Sequence, residues 1–229
     1  MISSWGVEFE PVNILGNPEA QSELRKLGVP AVPATVVEDR AVHGWNPEAL
    51  ARLLEVPYQG VPTLPPLELA EKLDAILAQA QYTIGKAPSS ALETVHPERP
   101  RTVRDLAFHL FRLSAGFVDT FEAGFHHKDW LYESAPDAIR SGADIARYGS
   151  EVRRRLEKWF SAAADHVFSE SVSTYYGEQT VQALLERTAW HAGQHLRQVH
   201  ALLESAGNLP EESLDSTLFD GLPMPAAIW

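Results

Sequence analysis

The stretch TAWHAGQHLRQVH, residues 188 to 200, carries histidines at 191, 195 and 200 inside one long helical pattern. At about 100° per residue, His191 and His195 sit about 40° apart on one helix face, within reach of a single divalent ion. With Thr188 as reference, Val181, Ala192, His195 and Val199 lie within about 40° and define the inward face, with His191 about 60° to one side. Glu186, Arg197 and Glu204 lie about 160° to 180° away on the wet face, and His200, near 120°, leans toward them. An isolated pair of this kind is also what two hydrogen-bonded histidines at a core edge look like. A third imidazole shifts the balance: His109, in RDLAFHLFRL, lies about 60° from Leu106 and about 40° from Leu113, inside an apolar stripe.

Three neutral imidazoles leave at least one position of a divalent ion open, which marks a catalytic site. Water bound there would be acidified toward neutrality, whereas a bound thiol would be deprotonated outright. These are two different enzymes. Three histidines suit nickel, zinc, iron or manganese, with nickel or zinc the first expectation. Asp105, one turn before His109, is either a partner for an imidazole N–H or a first-turn acid at its helix N-terminus. The remaining histidines are expected at the surface: His126 and His127 after Gly124, His96 in a loop, His43 in a hairpin and His166 near a helix terminus.

The 229 residues carry 19 Lys+Arg against 31 Asp+Glu, a net charge of -12 that repels a phosphate backbone. The densest basic run, Arg153 to Arg155, lies among Glu151, Glu157 and Lys158 and reads as a solvated helix face. Nucleic acid is therefore not expected as a partner. Absence of cysteine removes disulfides, thiolate metal sites and cysteine nucleophiles. No apolar run approaches the roughly 20 residues that cross a bilayer, and MISSWGVEFEPVN lacks a signal-peptide pattern. A membrane is not expected as a partner, and the cytoplasm is the expected location.

Four prolines and a glycine in PYQGVPTLPP break both periodicities, so residues 57–65 read as a linker between two domains. Before it, VEFEPVNI reads as a strand. A helix follows, capped by Asn17, opened by Pro18 and closed by Gly28. Then ATVVED and RAVHG suggest a hairpin, and a second helix is capped by Asn46 ahead of Pro47. The predicted order is βαββα. From 66 onward four helices are predicted, over 66–84, 102–124, 137–163 and 177–207. Leu67, Leu73, Ile76, Leu77 and Ala80 form the buried stripe of the first, and Val103, Leu106, Leu110, Leu113 and Phe117 that of the second. An up-down four-helix bundle is the economical arrangement.

The histidines at 109, 191 and 195, with the closing GLPMPAAIW, resemble the DinB-like superfamily of metal-binding four-helix bundles over residues 66–229. That resemblance implies that His109 of the second helix and His191 and His195 of the fourth coordinate a divalent metal, and it implies thiol-dependent transferases or isomerases. Residues 1–56, with GVPAVPATVV and GWNPEAL, resemble the second half of a glutaredoxin or thioredoxin fold. By that resemblance Pro33 is a cis-proline, Val32 supplies backbone groups to the cysteinyl part of glutathione, and Asn46 stands near its far end. The chain departs from that family in lacking its first strand and Cys-x-x-Cys or Cys-x-x-Ser turn. Either the true start lies upstream and encodes them, which is the preferred reading, or the segment is a binding or packing module without redox chemistry.

The expected fold is thus mainly α, a DinB-like bundle behind a small α/β glutaredoxin-like domain. The expected function is a metal-dependent thiol S-transferase or isomerase using a glutathione-type thiol on a small electrophile. The alternatives are a metal-dependent hydrolase using bound hydroxide, which wants an inward carboxylate as base, and a non-catalytic metal- or redox-responsive binding module. Trp190, about 200° from Thr188 on a polar helix face, suggests a contact surface, and a homodimer is a further expectation.

Overall fold

The computed structural model describes residues 2–14, 16–29, 32–44, 46–57, 64–97, 99–208, 214–225 and 227–228. The chain divides into two compact units, Met1–Pro62 and Thr63–Trp229. That boundary falls inside the proline-rich stretch, of which residues 58–63 lie outside the described residues.

In the first unit, helix α1 (Pro18–Lys26) and helix α2 (Pro47–Leu53) flank a hairpin of β1 (Ala34–Val37) and β2 (Arg40–His43). The strands pair antiparallel from Ala34 opposite His43 to Val37 opposite Arg40. Both expected caps are made: Asn17 accepts from the Ala20 N–H at 3.1 Å and Asn46 from the Ala49 N–H at 3.0 Å. Gly28, at φ +68°, closes α1, a left-handed conformation that glycine adopts freely. The Val32–Pro33 peptide is cis, the isomer that the glutaredoxin resemblance implies. Residues 7–14, expected as a strand, form none, and Phe9 and Val12 are exposed. Alternation alone does not make a strand: its N–H and C=O groups need a partner edge, and Pro11 removes one donor. Among the described residues of this unit only Ala51 and Leu53 are buried apolar side chains, a small core for its length.

The second unit is built on four long helices, α3 (Pro66–Lys86), α4 (Val103–Ala123), α5 (Gly142–Ala162) and α6 (Val181–Ser205). α3 and α4 each pack against both α5 and α6, around a core that includes Leu69, Leu73, Leu110, Phe111, Phe117, Ile145 and Leu184. The predicted stripe of α4 is buried throughout, as is that of α3 except Leu67, which is 71% exposed. Leu67 lies about 120° off Leu73 around the helix, whereas the buried Leu69 lies only about 40° off it. α5 starts at 142 rather than 137, because Ser141 and Asp144 form a reciprocal capping box that fixes the first turn. A Cβ at Gly142 would fall on the carbonyl oxygen of Ile84, so the α5 start is seated directly on the α3 end.

Two short hairpins separate these helices, β3 (Val95–His96) with β4 (Arg99–Thr102), and β5 (Ser171–Thr174) with β6 (Gly177–Thr180). Residues 177–180 are thus strand, not helix. Each hairpin runs straight into a helix through a threonine cap: Thr102 accepts from the Asp105 N–H at 3.0 Å and Thr180 from the Ala183 N–H at 3.1 Å. Helix, hairpin, capped helix therefore occurs twice, and the second helix of each repeat, α4 and α6, carries the candidate histidines. The arginine run 153–155 is more than a solvated face. Arg153 bridges to Asp74 on α3 at 2.7 Å and Arg155 to Asp119 on α4 at 2.7 Å, tying α5 to both neighbours. No helix among the described residues is long and apolar enough to cross a membrane.

Candidate functional site

α4 and α6 pack side by side and bring the three predicted histidines together. The His109 and His195 rings lie 5.0 Å apart centre to centre, edge to face, and the His191 ring lies 5.6 Å from that of His195, nearly parallel at 12°. His109 is buried, and His191 and His195 are partly buried.

The tautomer of His195 follows from its neighbours. Gln198 donates its amide N–H to the Ile228 carbonyl at 2.8 Å, so its Oε1 faces His195 Nδ1, also at 2.8 Å. A carbonyl oxygen only accepts, so Nδ1 carries the proton and Nε2 keeps its lone pair for a ligand. Ligating histidines are characteristically oriented in this way. The closing segment that supplies Ile228 is fastened to α6: Gln194 donates to the Ile228 carbonyl at 2.6 Å, and Arg197 to that of Pro225 at 2.7 Å. Gly193 makes room for it, since a Cβ there would stand 3.2 Å from Phe219 and 3.3 Å from Met224.

His109 Nδ1 is buried without a hydrogen-bond partner among the described residues, a cost that a bound cation would relieve. Burial holds all three imidazoles neutral. Desolvation first, then His195, Arg101 and Arg112, pushes His109 down to about 2. Desolvation lowers His195 to about 4, against the opposing Gln198 hydrogen bond. His191 is driven well below its ordinary value by desolvation and then by Arg187 and the other histidines. Three neutral nitrogens are the protonation state a metal requires. Among the described residues, however, no three His, Asp or Glu side chains stand together as a ready-made ion cage. His191 is stacked on His195, so bringing three nitrogens to one point takes a rotation of an imidazole about its side-chain bonds.

Several neighbours were misplaced or missed by sequence reasoning. His126, expected at the surface, is 3% exposed; its backbone bridges to the β5 end, and its Nδ1 lies 2.8 Å from Thr120 Oγ1. Thr120 spends its own proton on the Gly116 carbonyl at 2.6 Å, so His126 donates from Nδ1. Gly116 leaves room for the His126 and Trp130 rings against α4. Desolvation, then Arg187, lowers His126 to about 3. His200, expected to lean outward, is buried with its Nε2 3.4 Å from Thr83 Oγ1 of α3. α6 packs on two helices and the closing segment, so its buried arc is wider than one face. Trp190 is partly buried, with its ring against His191, 4.6 Å between centres. Asp105 is the first-turn acid: its carboxylate accepts from Thr102 Oγ1 at 3.0 Å and the Ala135 N–H at 3.3 Å. Arg187, one turn before His191, is buried, and the i, i+4, i+8 series 187, 191, 195 was the available signal for it.

In the first unit, the Gly44 N–H donates to the Pro33 carbonyl at 2.9 Å, so the cis-proline and the segment leading to Asn46 share one end of the hairpin. Val32 is 37% exposed there, while the Asn46 side chain is engaged as the α2 cap. Elsewhere, a groove of about 690 Å³ between α3 and α5 and one of about 450 Å³ along α4 and α5 lie away from the histidines, none of which lines them.

No family model and no curated protein matches the chain. Among solved structures it is similar to the crystal structure of a DinB-like protein from Bacillus cereus ATCC 10987, with TM-score 0.50 and 16% identity. The match covers 61% of this chain and 91% of that one. At that identity the likeness is one of fold, and it supports a DinB-like helical fold here.

Proposed function

We propose that the second unit is an up-down four-helix bundle whose His109, His191 and His195 hold a divalent metal ion, nickel or zinc, and that the protein is a thiol-dependent transferase or isomerase. The observation that carries this reading is the convergence of three neutral imidazoles from two helices, one already oriented through Gln198. When bound, the ion would lower the pKa of a thiol and hold it as the thiolate.

The chain's own groups account for the rest. His195 keeps its proton on Nδ1 and presents Nε2, with Gln198 holding that choice. His126, neutral and with its proton at Nδ1, keeps a lone pair on Nε2 and adds no charge beside His191. Among the described residues no carboxylate is offered to these histidines as a general base: Asp105 is held by Thr102 and the Ala135 amide. That leaves the hydrolase without the inward carboxylate expected of it and favours the thiol. The exposed Val32 and the cis-proline end of the first unit are proposed to take a glutathione-type thiol, with Asn46 ordering the adjoining helix.

Cobalt-loaded protein tests this. Adding glutathione is expected to produce a sulfur-to-metal charge-transfer band that S-methylglutathione does not, and to speed the loss of a model electrophile. Water-dependent ester or amide cleavage without any thiol effect would replace this reading with the hydrolase. Metal binding without either activity would favour a binding module.

A further inference from the structure

Arg187 is 7% exposed, and among the described residues no carboxylate pairs with it. The contrast is with Arg112, the other buried arginine among the described residues, which is neutralised by Glu133 and by Asp119 at 2.7 Å. A charge taken out of water normally requires a counter-charge, and Arg187 has only aromatic and neutral groups. Its Nη2 donates to the Tyr175 hydroxyl at 3.0 Å, and its guanidinium lies 4.5 Å from the centre of the Tyr176 ring. Tyr176 is buried, while Tyr175 is partly exposed. The Tyr175 ring also stacks on His126 at 6.1 Å. A guanidinium has five N–H donors in a planar fork that matches a carboxylate, and the Tyr175 hydroxyl engages one of them.

We infer that Arg187, with Tyr175 beside it, forms a subsite for a carboxylate group of the small molecule that reacts at the histidine cluster. Arg187 precedes His191 by four residues, so the two side chains leave one helix face about 6 Å apart at their Cβ atoms. That spacing selects short organic acids. Among the described residues the partners of the Arg187 guanidinium are tyrosines, so the corner holds a cation without an anion. An acidic ligand supplies it. The inference rests on His191 belonging to the reactive centre, and the experiment separates the two ideas.

Glutarate and its uncharged diamide are titrated calorimetrically into the full chain, both metal-free and cobalt-loaded. Glutarate is expected to bind saturably and the diamide not at all. Arg187→Met, which replaces a buried cation with an apolar chain of similar length, is expected to weaken glutarate at least tenfold while circular dichroism stays unchanged. Arg187→Lys keeps the charge without the fork and is expected to weaken it several-fold, which preserves the test if Arg187→Met does not fold. Equal binding of glutarate and diamide, no glutarate binding, or wild-type binding by either variant overturns the subsite. Arg187-dependent glutarate binding by a protein that takes up no metal sustains the subsite and removes the metal reading. Normal metal uptake with no glutarate binding does the reverse.

Discussion

Acidifying the metal-free protein from pH 7 to pH 5 should cost it much of its stability. His109 and His126 are buried, with folded values lowered to about 2 and about 3 from 6.5. The unfolded chain therefore binds protons in this window that the folded chain refuses, and stability falls as pH falls below about 6.5. Neither folded histidine protonates by pH 5, so linkage gives about 2 kcal/mol lost per histidine, or about 4 kcal/mol for the two. His195 and His191 act in the same direction. Against a usual total of about 5–15 kcal/mol, that loss brings the fold close to its limit. His126→Asn isolates one share, since its amide can donate to Thr120 in place of the imidazole. Urea unfolding followed by circular dichroism at pH 7, 6 and 5, with chelator present, should show the variant losing about 2 kcal/mol less than the wild type over that range. A wild type of constant stability from pH 7 to 5, or a variant falling as steeply as the wild type, would mean that His126 does not gain a proton on unfolding in this range.

Gln198→Ala removes the group that fixes His195 and should weaken metal binding by about 10- to 100-fold, read by competition with a chromophoric chelator; unchanged affinity would show that the closing segment does not orient the ring. Gly142→Ala sets a Cβ against the Ile84 carbonyl and should destabilise the second unit by about 1–3 kcal/mol, seen as a lower thermal midpoint. A midpoint at or above wild type would mean that α5 can shift away from α3 at no cost.

The long helices and the two asparagine caps were legible because apolar side chains at three-four spacing and Asn–Pro pairs are local signals. The histidine pair was legible for the same reason, since four residues on a helix is a fixed geometry. The hairpins before α4 and α6 were not, because SVST and GEQT carry too few apolar residues to show alternation. The absent strand at 7–14 shows the converse, alternation without a partner to pair with. His126 and His200 were misjudged because burial of a single side chain depends on what packs over it: the β5 end in one case and α3 in the other. Arg187 stands on the same face as His191, yet nothing local reveals that its neighbours are tyrosines and not carboxylates.

Metal content reads out whether His109, His191 and His195 together hold one divalent ion, as proposed. Elemental analysis of protein purified without affinity-tag metals tests it directly, comparing the wild type with His109→Ala, His191→Ala and His200→Ala. One ion per chain is expected in the wild type and in His200→Ala, whose imidazole faces Thr83, and loss of the ion in the other two. Equal metal content in all four proteins would contradict it.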